Sequence, residues 1–110
     1  MSAPSIDLAK LKHHLRLEPD LNDDDTLIES YAAVSIEAAE KHIGRKLYPA
    51  GAVPEDDPTG LEFSAGIECG CMLFVGHLYA NREAANSDQI KAVPFTIKSL
   101  WDVYHQPEAY

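Results

Sequence analysis

IECGCMLFVGHLYANRE, residues 67–83, is the stretch on which the fold turns. Across residues 69–80 its one strongly polar side chain is His77. Ile67, Cys71, Phe74, Val75, Leu78 and Arg82 recur at helical spacing, so the apolar ones share one face. Cys69, Met72, Leu73 and Gly76 take the opposite face, which leaves the segment apolar nearly all round. A helix of that kind is usually the buried centre of a domain. A membrane span needs ~20 apolar residues, and this run is shorter and ends in charge. Gly70 and Gly76 each weaken a helix by roughly 1 kcal/mol relative to Ala, so they mark expected close crossings with another helix.

Immediately upstream, Thr59-Gly60-Leu61-Glu62 matches a capping box, which would start the central helix before Ile67. Downstream, the helix should fray after Glu83, in Ala84-Ala85-Asn86-Ser87. Val93-Pro94 then starts a last helix with proline in its first turn, Ile97, Leu100, Trp101 and Tyr104 at helical spacing, and Pro107 to end it. Residues 47–59 carry Pro49, Gly51, Pro54 and Pro58 around Glu55-Asp56-Asp57, which rules out a regular helix. A loop of this length in a small domain points to function, with room for a short extended pair. Before it, Asn22-Asp23-Asp24-Asp25-Thr26 supplies caps for a second helix. Its stripe runs through Leu27, Ile28, Tyr31, Ser35, Ala38, Ala39 and His42 to Ile43, and Gly44 is a good residue just past its end. A first short helix over residues 5–16 has Ser5 as its N-cap, a stripe of Leu8, Leu11 and Leu15, and Lys10, Lys12 and His13 facing away. No repeat and no useful period-2 strand is present. The expected fold is all-α: one domain over residues 1–110, four helices, and a long loop between the second and third.

The 110 residues hold 45% hydrophobic side chains, as an ordinary globular chain does. Eighteen acidic against nine basic residues give a net charge of −9, which argues against a primary binder of nucleic acid or anionic membrane. Cys69 and Cys71 point about 200° apart on a helix, so a disulfide between them is geometrically disfavoured and both read as core thiols. The N-terminus has no apolar signal core, and the expected compartment is the cytoplasm.

No catalytic constellation emerges. The two cysteines diverge where a structural zinc site wants converging pairs, and His77 has no nucleophile at a visible relationship. His13-His14 suits a helix C-terminal dipole. Asp23-Asp24-Asp25 lacks the alternation, glycine and distal glutamate of a calcium loop and reads as capping. No metal or cofactor is expected. Glu55, Asp56 and Asp57 form either a solvated tip or one that faces a partner. Arg82 and Glu83 close the apolar helix, and Arg82, on the buried stripe, could pair with a neighbouring helix or subunit.

The order of the pieces carries a resemblance. Leu11-Lys12-His13-His14-Leu15-Arg16 fits a "LK-x-HLR" opening helix, followed by the acidic turn Asp23-Asp24-Asp25. Ala38-Ala39 and then His42-Ile43-Gly44-Arg45-Lys46-Leu47 loosely keep an "AA-x-x-I-x-x-x-x-G-R-x-L" helix. LYANRE (residues 78–83) and VPFTIKSLW (residues 93–101) complete the series. Together these resemble the small helical head-tail connector, or adaptor, proteins of long-tailed bacteriophages. The resemblance implies an all-helical structural subunit that assembles into a ring of about a dozen copies under the portal protein. Such a ring would meet a tail-completion or stopper protein and extend the channel through which DNA passes without being bound. It implies the virion neck as location, with host cytoplasm during assembly and no membrane. Members often close the last helix with an arginine, where this chain has Tyr104-His105, and its loop is notably acidic. Arg82, Glu83, Glu55, Asp56, Asp57 and Tyr104 are accordingly the expected contact residues. The rival from another class is a small acidic helical regulator that binds one protein partner.

Overall fold

The computed structural model describes residues 4–81 and 94–104. Its elements run α1 (Leu8–His14), α2 (Asp25–Ile43), β1 (Leu47–Tyr48), β2 (Leu61–Glu62), α3 (Ala65–Ala80) and α4 (Phe95–Asp102). The architecture is the expected mainly helical one, with a two-residue pair of strands at one edge. The central helix packs on α2, α4 and the end of α1. Ile67, Cys71, Phe74, Val75 and Leu78 are all buried, and they meet Ile28, Ala32, Ile36, Ala39 and Ile43 of α2. Trp101 and Ile97 of α4 close the core from the third side. Phe74 and Trp101 meet edge to face, 6.1–6.4 Å being the range of Trp101's ring distances to His42 and Phe74.

The long α2 ends where its chemistry says it should. Gly44 takes φ 76°, a left-handed conformation that costs a residue without Cβ little, and its N–H donates to the Glu40 carbonyl at 2.8 Å. At the other end, Asp24 occupies the N-cap position; its carbonyl accepts the Ile28 N–H at 2.8 Å, but its side chain bonds no helix N–H. Its carboxylate instead accepts the Tyr79 hydroxyl at 2.6 Å, tying the start of α2 to the last turn of α3. The chain leaves α1 through Arg16 at φ 62°, an uncommon conformation for a residue with a Cβ.

Four expectations change. The capping box at Thr59 and Glu62 is not used. Leu61 and Glu62 form β2, which pairs in parallel with Leu47 and Tyr48 of β1, and α3 starts at Ala65 behind Ser64. Parallel strands cannot be joined by a tight turn and need a crossover of about a dozen residues, which is the physical reason for the long loop. Second, α1 is shorter than residues 5–16 and begins after Asp7, not Ser5. Third, Lys12 does not face away. Its side chain is turned under the acidic turn and is 4% exposed. Its ammonium lies 2.7 Å from Asp25 Oδ1, an ion contact rather than an aligned hydrogen bond, and donates to Asn22 Oδ1 at 3.1 Å and the Pro19 carbonyl at 3.3 Å. Fourth, α3 is buried on one side only. Cys71 is buried but Cys69 is exposed, so one of the two expected core thiols lies at the surface. The fraying expected at residues 84–87 and the stop at Pro107 lie outside the described residues.

Candidate functional site

The loop between the strands is an ordered unit built on one tyrosine. Tyr48 donates its hydroxyl to Asp57 Oδ2 at 2.6 Å, and Thr59 donates to the other oxygen of the same carboxylate at 3.1 Å. These bonds hold the Asp57 carboxyl below the usual range, and the bond to Asp57, with burial, pushes the Tyr48 phenol up to about 12. Arg45 spans the base of the loop, donating from Nε to the Thr59 carbonyl at 2.8 Å and from Nη2 to the Gly60 carbonyl at 3.4 Å. Glu62 accepts the Gly51 N–H at 2.8 Å, and Glu40 accepts that of Leu47 at 2.8 Å. The three loop acids therefore separate. Asp57 is turned inward and used by the loop itself, while Glu55 and Asp56 stay exposed and free to face a partner.

Tyr104 is half-buried against the first turn of α3, its hydroxyl lying over Gly66. It takes no part in the Asp57 network. Arg82 and Glu83 lie outside the described residues. The expected contact residues that are described do not converge on one pocket.

No group of three or more His, Cys, Asp or Glu side chains that could hold a metal occurs among the described residues. Burial pushes the Cys71 thiol up to about 12, against the smaller opposing effect of the Ser35 hydroxyl, so it is protonated and unreactive near neutral pH. His77 stacks on Phe74 with ring centroids 6.0 Å apart, and its Nε2 is buried without a hydrogen-bond partner. His42 pairs with Asp102 at 2.5 Å and lies against Trp101, which pins α4 to α2. An open groove of about 310 Å³ beside Glu37, Glu40, Lys41, Arg45 and Lys46 is of mixed charge. None of these places a nucleophile, a base and an anion-stabilising group together. No described helix is long and apolar enough to cross a membrane.

What the surface does carry is apolar area that the sequence did not single out. Leu73 on α3 is 38% exposed, and Phe95 at the start of α4 and Val103 just past its end are 82% and 80% exposed. The latter two lie off the buried Ile97 and Trp101 stripe, which was the one signal available for them.

The family model for "Phage gp6-like head-tail connector protein" matches residues 5–104, from before α1 to beyond α4. The chain belongs to this family. Among curated proteins and solved structures nothing matches. The connector family is a structural, non-catalytic one of the virion neck whose members assemble with other virion proteins. The features of this connector suit that role: an ordered loop with free acids at its tip and exposed apolar helix faces.

Proposed function

We propose that this connector forms a closed ring of about a dozen copies between portal and tail, through which the DNA channel continues. The family match over residues 5–104 carries the reading, because it takes in every described element. Charge supports it. A wall that lets DNA pass must not grip phosphate, and a subunit of net charge −9 releases what a basic one would hold. One end of the ring would seat on the portal and the other on a tail-completion or stopper protein, with assembly taking place in the host cytoplasm. The free acids Glu55 and Asp56, together with Arg82, Glu83 and Tyr104, are the proposed contact residues for neighbours. Negative-stain imaging of the purified connector, alone and mixed with purified portal, tests this. Rings with a central opening, stacked on one end of the portal, are expected. A compact dimer that leaves the portal bare would contradict it and favour a regulator with a single protein partner.

A further inference from the structure

We infer that neighbouring copies join by seating the open face of α3 in one subunit against the outward stripe of α4 in the next. The inference rests on the ring reading above and names the surfaces that build it.

The first surface follows from an imbalance in the central helix. α3 is apolar nearly all round, and such a helix ordinarily has cover on every side. Here α1, α2 and α4 cover only part of it. Ala65, Cys69, Leu73 and Ala80 are exposed, Met72 and Gly76 are half-buried, and all six lie within about 100° of arc on the side away from Phe74. None of the six carries a charge, and His14 at the end of α1 reaches the face beside Gly76. Glu68, paired with Lys10 at 2.6 Å, and Tyr79, bonded to Asp24, mark one rim. Tyr104 over Gly66 marks the other.

The second surface is on α4. Phe95, Ser99 and Val103 follow one another at i, i+4 and i+8, so they form one stripe opposite the buried Ile97 and Trp101. A helix of this length that seats Trp101 in the core has no internal reason to leave a phenylalanine 82% exposed at its start.

Two observations point to a second copy as the occupant. Copies of a chain with net charge −9 repel one another, and they meet at least cost where neither surface is charged. The two faces are different and point in different directions: α4 is seated on Gly70, and Cys69, the centre of the open face, lies about 100° around α3 from it. Two unlike, unpartnered faces on one subunit are what a head-to-tail contact needs, whereas a two-fold dimer needs one face that fits itself.

The test uses the full chain with Leu73→Glu on the α3 face and Phe95→Glu on the α4 face. Cys69→Arg and Val103→Glu serve as a second pair, and melts equal to the parent's confirm folding. Mass is read by light scattering after size exclusion, under conditions where the parent reaches ring mass. Each variant alone should stay monomeric. A 1:1 mixture of Leu73→Glu and Phe95→Glu should give a two-subunit species that grows no further, because only one intact α3 face and one intact α4 stripe remain to meet. Variants that form rings like the parent would overturn the inference and leave the ring standing. Loss of assembly in only one of the two would indicate a self-fitting contact and overturn it as well. Normal rings that no longer bind portal would reassign the faces to the portal. A parent that never passes monomer, with salt or with portal, would remove the ring reading itself and this inference with it.

Discussion

Three glycines of the central helix make a graded test of how α4 is seated. A Cβ at Gly70 would run into Nε1 of Trp101 and lie 3.0 Å from its Cδ1 and Cε2. Trp101 is fully buried and donates that same Nε1–H to the Ile67 carbonyl at 3.3 Å, so it cannot retreat without losing the bond. Gly70→Ala gains roughly 1 kcal/mol of helix propensity. Against this stand ~1–3 kcal/mol of overpacking and about 1 kcal/mol for the displaced hydrogen bond. The net should be a destabilisation of about 1–3 kcal/mol, each kcal/mol lowering Tm by about 4–8 °C in a domain of this size. At Gly76 a Cβ would meet His14 Nε2 at 3.7 Å, an ordinary contact, so Gly76→Ala should stabilise by about 0.5–1 kcal/mol. Gly66 is intermediate. Its Cβ would meet the tip of half-buried Tyr104, which can rotate away, and the change should stay within about 1 kcal/mol of zero. Urea unfolding, followed by far-UV circular dichroism and by the fluorescence of the one tryptophan, measures all three. A Gly70→Ala protein as stable as Gly76→Ala would refute the seating of α4 on Gly70.

Other expectations follow from single contacts. In the folded, unassembled subunit one thiol, Cys69, should react with a small disulfide reagent, and Cys71 only on unfolding; equal rates would contradict the burial that raises the Cys71 thiol. Lys12→Met should cost about 1–3 kcal/mol in thermal or urea unfolding, less than a fully buried pair would, because Asp25 remains 26% exposed; an unchanged Tm would show the ion contact to be idle. The Tyr48–Asp57 bond should stabilise the loop above the ordinary carboxylate range and be lost as pH falls through the depressed Asp57 value. At the alkaline end the raised phenol keeps its contribution at pH below an ordinary tyrosine's value and loses it towards pH 12. Amide protection at the loop, measured against the intrinsic exchange rate at each pH, should therefore fall in acid in the parent but be already low in Asp57→Asn, and an identical acid response in the two would refute the role of Asp57.

How much of this was legible beforehand depended on how local the cause was. The end of α2 at Gly44 and the buried stripe of Ile67, Cys71, Phe74, Val75 and Leu78 could be read directly, because helix periodicity and C-terminal capping act within a few residues. The start of α3 could not. Thr59 and Glu62 have the spacing of a capping box, but Leu47 and Tyr48, fourteen positions before Leu61 and Glu62, recruit those two residues into a strand pair. Lys12 read as a solvent-facing lysine because only the return of the chain through Asn22 and Asp25 buries it. The open side of α3 was hidden for a related reason: apolar periodicity tells which residues avoid water, but not whether their cover comes from this chain or from another. Among the expected contact residues, composition marked the acidic loop, whereas only its closure over Tyr48 separates Asp57, used internally, from Glu55 and Asp56.

The central claim, a closed ring, is tested most directly by measuring mass across a salt series. Each 12.1 kDa subunit brings −9, so a ring of about a dozen copies gathers on the order of a hundred negative charges. Their repulsion reaches ~10 Å at 0.1 M salt and only ~3 Å at 1 M, while apolar contacts depend little on ionic strength. Light scattering after size exclusion should find a monomer or small oligomer at low salt. As salt is raised, or once portal is added, a single closed species of about a dozen subunits should replace it. A compact dimer whose mass ignores salt, protein concentration and portal alike would contradict the account.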